Sequence, residues 1–565
     1  MVFEQFEYRR PDYERIKAEM EKLFEKLRRS TSVGEAIRCS VDIDKIRREY
    51  MSMKKLSGLL FSIDLNNRSY VEENDYFDDY WPYYKELNAR YYKEILASKF
   101  LEEFKAFYGE QFIKLMECTI GAIDESILDE LQEEQKLISA NFCLKTNAEI
   151  EFRGEKHNLS TLSGYLTDSD RQTRKEASDA FYGFYESAAD EIETTFDNLV
   201  KVRDKKAKKM GYESFTEMGY NEMQRTDYDK NMVACFREEV RQYMTPLAEK
   251  LIKRQMKRLG VSSLPYYDET VKFASGNPLP KGTSDEILQT ARKMYEDMSP
   301  ETGEYFNYMM DTHLIDVLPR RGKEGSGFES YIDVYRAPFL FANFNGTSDD
   351  ITLMTHEAGH CFQSYMSRNI DTPELVCATM ETSEIHSMSM ELFTMPQVDR
   401  FFGKEGADKY RFSLIERAVQ KIPYCAVVDE FQHLVYANPK ATKSERRKMW
   451  RDTERKYLPY KDYTGSPFLE SGTWWFQQGH PFFRPFYYID YGLAQTCALA
   501  FLVKMGKDYE SAWKDYIELC KLGGTRSFQN LLKVAGIASP FEKGMVKSVA
   551  EYVEKYLDEI DDMSM

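Results

Sequence analysis

The stretch Thr352-Leu353-Met354-Thr355-His356-Glu357-Ala358-Gly359-His360-Cys361-Phe362 holds the most pointed chemistry in the chain. An α-helix turns once per roughly 3.6 residues, so His356 and His360 stand one turn apart on one face. Both imidazoles can then serve one metal ion as neutral nitrogen ligands. Glu357 lies beside them and can reach a water at the ion without ligating the metal. Two nitrogens and one base at HExxH spacing read as metal-assisted hydrolysis. The bland alternative is a pair of core histidines satisfied by hydrogen bonds. With only seven histidines in 565 residues, chance pairing at this spacing is rare.

A catalytic zinc takes three protein ligands and keeps one position open. After a turn over 369–373, a second helix is expected from about Leu375, and it carries Glu381, Glu384 and Glu391. Glu384 and Glu391 share a face, and Glu381 sits one turn before Glu384. Spacing alone does not choose among them, and each could be a plain solvated helix residue. His386 points well away from that face and ranks below them. Cys361 adjoins His360 but points about 100° away around the helix, and it reads as a small buried hydrophobe.

These residues must be carried on helices, and the chain is patterned accordingly. Ile16, Met20, Leu23, Phe24 and Leu27 recur at helical spacing behind Pro11, which is expected to open that helix. Ser169 and Gln172 form a candidate capping box for a long helix from about Asp170. Strand signals are few. Ala148, Ile150 and Phe152 alternate ahead of an Arg153-Gly154 turn. The run 328–344 is rich in β-branched and aromatic residues, and Pro338 marks an edge or a bend. The strand at 338–344 is therefore a candidate edge for an extended peptide. Before it, residues 321–327 form a Gly-rich loop, either a plain surface loop or a mobile substrate-binding one. It lacks the phosphate-binding patterns. A soft boundary near residue 160 divides the chain into an N-terminal helical region, 1–160, and a catalytic region, 161–565.

Composition narrows the partners. The formal charge is -17, so a basic nucleic-acid-binding face is not expected. Nine cysteines, odd in number and without a CxxC pair, read as free thiols in a reducing compartment. The N-terminal residues show no apolar signal core, and no window of 18 uncharged apolar residues occurs. A cytoplasmic location without a membrane span is the expectation.

The motif followed by Glu384-Ile385-His386-Ser387-Met388-Ser389-Met390-Glu391 resembles the thimet oligopeptidase family, in particular its oligoendopeptidase F branch with the bacterial Pz-peptidases. The family's E-x-x-S-x-x-x-E helix falls on Glu384, Ser387 and Glu391, and the resemblance makes Glu384 the third zinc ligand. A second block runs from Ser471-Gly472-Thr473-Trp474-Trp475 through His480 to Pro485-Phe486-Tyr487-Tyr488-Ile489-Asp490-Tyr491. It is similar to the family segment whose His and Tyr residues hold substrate and stabilise the oxyanion. His480 carries over directly. Tyr491 is the first choice of tyrosine and Tyr487 the second, because Ile489 stands where some members have Tyr. Taken without the family, such an aromatic run reads as core. The similarity is strongest over 325–400 and 470–500.

The resemblance implies a mainly α, ellipsoidal body of many helices. Two lobes enclose a deep substrate channel, with a small β element beside the active site. It implies a zinc oligoendopeptidase with one Zn2+ per chain, acting on internal bonds of short unfolded peptides, with Glu357 as the base. The alternatives are a zinc exopeptidase and a non-catalytic peptide-binding scaffold of the same fold. A metzincin is excluded because Gln363 and Met366 stand where that class needs Gly and His. Nothing in the sequence fixes an oligomeric state.

Overall fold

Helices form where apolar residues recur at three- and four-residue spacing and a polar side chain closes the first turn. The computed structural model describes all 565 residues, of which 72% are helical. This bears out the mainly α expectation. In the helix Tyr13–Arg29 the buried stripe is Tyr13, Ile16, Met20, Phe24 and Leu27. The Asp12 carboxylate caps it, accepting the Arg15 N–H at 3.0 Å, so Pro11 precedes the cap and does not open the helix. The helix Arg171–Ser187 likewise starts on Asp170, which takes the Thr173 N–H at 2.8 Å. The expected Ser169–Gln172 box does not form, because aspartate is an equally good cap one residue further on.

Two hydrophobic cores result. A smaller one is centred on Phe24, Tyr50, Leu87, Tyr91, Phe104 and Phe112, and it takes in Leu375 from far along the chain. A larger one runs without a break from Leu56 to Leu557. No helix is long and apolar enough to cross a membrane.

Strands are short. β1 (Ile150–Phe152) is the expected strand, and after the expected turn on Arg153 and Gly154, with φ of 52° and 84°, the chain pairs back as β2 (Glu155–His157) in a hairpin. β3 (Ile315–Asp316), β4 (Phe328–Ile332) and β5 (Ala337–Phe341) form a second sheet in the order β3-β5-β4. β5 is thus the central strand, not an edge, which corrects the expectation for 338–344. Pro338 is tolerated there for a specific reason. The N–H groups on its side of the strand, those of Leu340 and Ala342, pair with Leu314 and Asp316. β3 is too short to reach the level of Pro338, so no partner awaits the missing donor. The Gly-rich loop beside the sheet is tied down. Leu65 N–H donates to Gly322, Glu324 N–H to Ser62, and the Asn343 amide to the Glu324 carbonyl.

Four helices carry the site. The motif helix is Ser348–Ser367, the ligand helix Met380–Phe393, the cleft helix Asp399–Ala437 and the tyrosine helix Tyr488–Met505. Asp350 in the first turn of the motif helix accepts the N–H groups of Asn345 and Gly346 and fixes the incoming chain. The ligand helix starts at Met380, later than the expected Leu375. A single turn, Pro373–Val376, comes first, and Cys377 and Thr379 are extended.

Candidate metal centre

Gly359 sets how closely the motif and ligand helices approach. A Cβ there would lie 2.6 Å from the His386 carbonyl oxygen and 2.7 Å from Ser387 Cα. Only a glycine lets the two backbones pack at this distance, and that distance brings Glu384 to the two histidines.

The three ligand atoms converge. Glu384 Oε2 lies 3.3 Å from His356 Nε2 and 3.7 Å from His360 Nε2, and all three atoms fall within 4.8 Å of one another. Zinc bonds of about 2.0–2.2 Å place tetrahedral ligand atoms roughly 3.3–3.6 Å apart, so the set fits such an ion. Glu381 and His386 do not join it. Glu381 is buried and takes the Thr379 hydroxyl, while His386 is wholly buried with both ring nitrogens unpaired.

The supporting shell is what such a site requires. Glu391 Oε1 lies 2.7 Å from His356 Nδ1, which turns Nε2 toward Glu384 and His360. Ser387 donates to Glu384 Oε2 at 3.1 Å, and Tyr487 Oη donates to Glu384 Oε1 at 2.5 Å. Burial disfavours charge on His356, but hydrogen bonds to Glu384 and Glu391 outweigh it and push its pKa up to about 10. Burial likewise opposes ionisation of Glu384, yet the paired histidines and the Tyr487 hydroxyl hold it well below the usual carboxylate range. The two carboxylates thus hold a positive charge on His356, a place that a divalent cation bound to the deprotonated ring would take.

Glu357 is 5% exposed, and burial pushes its pKa up to about 8. It faces a cleft of about 770 Å³ that His356, Glu391, Lys421, His480 and Tyr491 also line. The cleft places the tyrosines differently. Their rings are 4.9 Å apart, but Tyr491 opens into the cleft while the Tyr487 hydroxyl is engaged on Glu384. The His480 ring centroid is 5.7 Å from that of Tyr491, and burial lowers its pKa to about 4, so the ring is neutral at neutral pH.

Sequence reasoning gave no role to Gln478. Its carbonyl accepts the Tyr424 hydroxyl at 3.1 Å and its amide nitrogen lies 2.7 Å from His480 Nδ1. With Nδ1 accepting, the ring proton is assigned to Nε2. No spacing rule would have found this residue, although it lies two positions before His480. Of the other rings in the 474–487 run, Trp475, Phe476, Phe482 and Phe486 are buried core, Trp474 is half-buried and Phe483 is exposed.

Body and site together define the class, a helical metallopeptidase. The profile of Peptidase family M3 matches residues 165–551, and that of the peptidase M3 N-terminal domain matches residues 3–123. The chain belongs to peptidase family M3, and peptides are its substrates. Its sequence is 23% identical over 476 residues to oligopeptidase PepF of Bacillus subtilis, covering 81% of this chain and 68% of that one. It is 24% identical over 466 residues to an oligoendopeptidase F homolog of Borreliella burgdorferi, covering 79% and 73%. Among solved structures, Pz peptidase A with an inhibitor superposes with a TM-score of 0.96 at 42% identity, covering 99% of this chain and all of that one. A protein provisionally assigned as an oligoendopeptidase F from Bacillus anthracis gives 0.92 at 42% identity, covering 100% and 99%. The expected family resemblance is borne out.

Proposed function

We propose that the protein is a zinc oligoendopeptidase of the cytoplasm that hydrolyses internal bonds of short peptides. The observation that carries this reading is the convergence of His356, His360 and Glu384 on one point, with His356 and Glu357 lining a cleft. The names of its relatives, oligopeptidase and oligoendopeptidase, support the preference for short substrates and internal bonds.

Zinc held by these three residues would supply a Lewis acid that polarises the scissile carbonyl and acidifies water toward neutral pH. Glu357 accepts the proton of the attacking water and passes it to the leaving amine, work typically worth about 10²–10⁴-fold. Its burial makes it a stronger base than a surface glutamate, and a neighbouring cation favours its ionised form. His480 Nε2–H and the Tyr491 hydroxyl line the same cleft and donate to the carbonyl oxygen as it gains charge. Tyr487 keeps Glu384 aimed, and Glu391 keeps His356 in one tautomer.

Metal analysis of the purified wild type, His356→Ala and Glu384→Ala tests the ligand set. About one zinc per wild-type chain and little in either variant is the expected result. Stoichiometric zinc in both variants would place the ion elsewhere and overturn the assignment.

A further inference from the structure

Phe486, the residue immediately before Tyr487, has a φ of 65°, in the left-handed region that bulky residues rarely occupy. It is completely buried, and both of its backbone polar groups are taken by buried side chains. Its N–H donates to Gln432 Oε1 at 2.8 Å. Its carbonyl accepts from Arg225 Nη2, and the same nitrogen donates to Asp490 Oδ1 at 3.0 Å. Arg225 and Asp490 side chains are both fully buried.

The ring of Phe486 is held as firmly as its backbone. It lies 5.0 Å from His433, 5.5 Å from Tyr436 and 5.6 Å from Tyr220, centroid to centroid. Gly219 makes room for it, because a Cβ there would stand 2.8 Å from the ring. Arg225 itself stacks over Tyr220 at 4.1 Å. Every anchor but Asp490 comes from residues 219–225 or from the cleft helix, and none touches the three ligand atoms. An unfavourable backbone conformation persists only where its surroundings over-determine it, and here they do so one residue before a hydroxyl that holds Glu384.

We propose that Arg225, through the strained Phe486, is a positioning residue that sets Tyr487 on Glu384 and so tunes the hydrolytic step. This rests on the hydrolase reading above. Arg225 bridges the Phe486 carbonyl to Asp490 in the first turn of the tyrosine helix, which fixes where that helix begins. Tyr487, between those two tethers, has no freedom to withdraw from Glu384. Loss of the tether lets the turn relax to an ordinary φ and swings the hydroxyl away.

The test uses full-length protein carrying 3-fluorotyrosine at position 487, with Arg225→Met and Arg225→Lys, followed by ¹⁹F NMR, zinc content and steady-state kinetics. Arg225→Met is expected to shift and broaden the fluorine signal and to lower kcat at least tenfold. KM should stay within about threefold, with zinc still bound, and Arg225→Lys should recover part of the loss. In a Tyr487→Phe background the same Arg225→Met change should cost less than threefold further. An unmoved fluorine signal, or an equal kcat loss in both backgrounds, would overturn the proposal and leave Arg225 with a general structural role. If Arg225→Met fails to fold, Gln432→Met, which removes the acceptor for the Phe486 N–H together with a donor to the Val428 carbonyl on its own helix, is read against the same criteria. The fluorine signal needs no turnover, so a wild type that cleaves nothing would sink the hydrolase reading while the positioning reading is still decided.

Discussion

Replacing Gly359 by alanine puts a methyl carbon 2.6 Å from the His386 carbonyl oxygen, 2.7 Å from Ser387 Cα and 2.9 Å from Met390 Cβ. None of these atoms is the free end of a flexible side chain, so rotamer changes give no relief. Ordinary contact begins at 3.4 Å, and the two helices must therefore part by about 0.8 Å. Glu384 lies one turn before Ser387 and moves with it, away from His356 and His360. Metal sites hold their distances to about ±0.2 Å, so a shift several times larger should weaken zinc binding about 10–100-fold, the loss typical of a damaged outer shell. Global stability should change less. Overpacking costs about 1–3 kcal/mol, and removing a glycine from a helix interior returns about 1 kcal/mol. Competition with a calibrated chelator gives the affinity, and thermal unfolding of the metal-free protein gives the stability. A Gly359→Ala protein that binds zinc within twofold of wild type would refute the claim that this glycine sets the helix spacing.

Three further outcomes are expected. Glu391→Ala leaves His356 Nδ1 without its partner and should lower zinc affinity or kcat/KM about 10–100-fold, as read by chelator competition and peptide hydrolysis. Gln478→Leu removes the donor to His480 Nδ1 and frees the ring to change tautomer, so kcat should fall while KM and zinc content hold. His480, with its pKa lowered to about 4 from an unfolded value near 6.5, makes the folded chain bind fewer protons than the unfolded chain in that window. Stability of the metal-free protein should therefore fall as pH drops from 6.5 toward 4, by an amount on the order of 1 kcal/mol at pH 5 for this partly exposed ring. His480→Gln should remove that component in denaturant titrations at pH 7 and pH 5.

What the sequence disclosed was local. His356, Glu357 and His360 could be read because four residues of helix fix their relative directions, whatever the rest of the chain does. Glu384 could be reached only through a family pattern, since its approach depends on Gly359 clearing room between two helices. Glu391 shares a face with Glu384, and nothing in the spacing says that one converges on the Nε2 atoms of both histidines while the other holds His356 Nδ1. The tyrosines posed the same problem. Tyr487 and Tyr491 are one turn apart, yet one is engaged on a ligand and the other opens into the cleft. Strand order is set by long-range pairing, so Pro338 suggested an edge where a two-residue neighbour makes a central proline harmless. Phe486 and Arg225 were invisible, because a left-handed phenylalanine and its tether 261 residues away leave no mark on local pattern.

The central claim is that Glu357 is the base of a zinc peptidase, and cleavage of a quenched fluorescent peptide of about ten residues by wild type and Glu357→Gln tests it most directly. Each preparation would be assayed for metal. Both proteins are predicted to hold about one zinc, with only the wild type cleaving, at an internal bond. Equal cleavage by Glu357→Gln, or a wild type that holds zinc and leaves every peptide intact, would contradict the account.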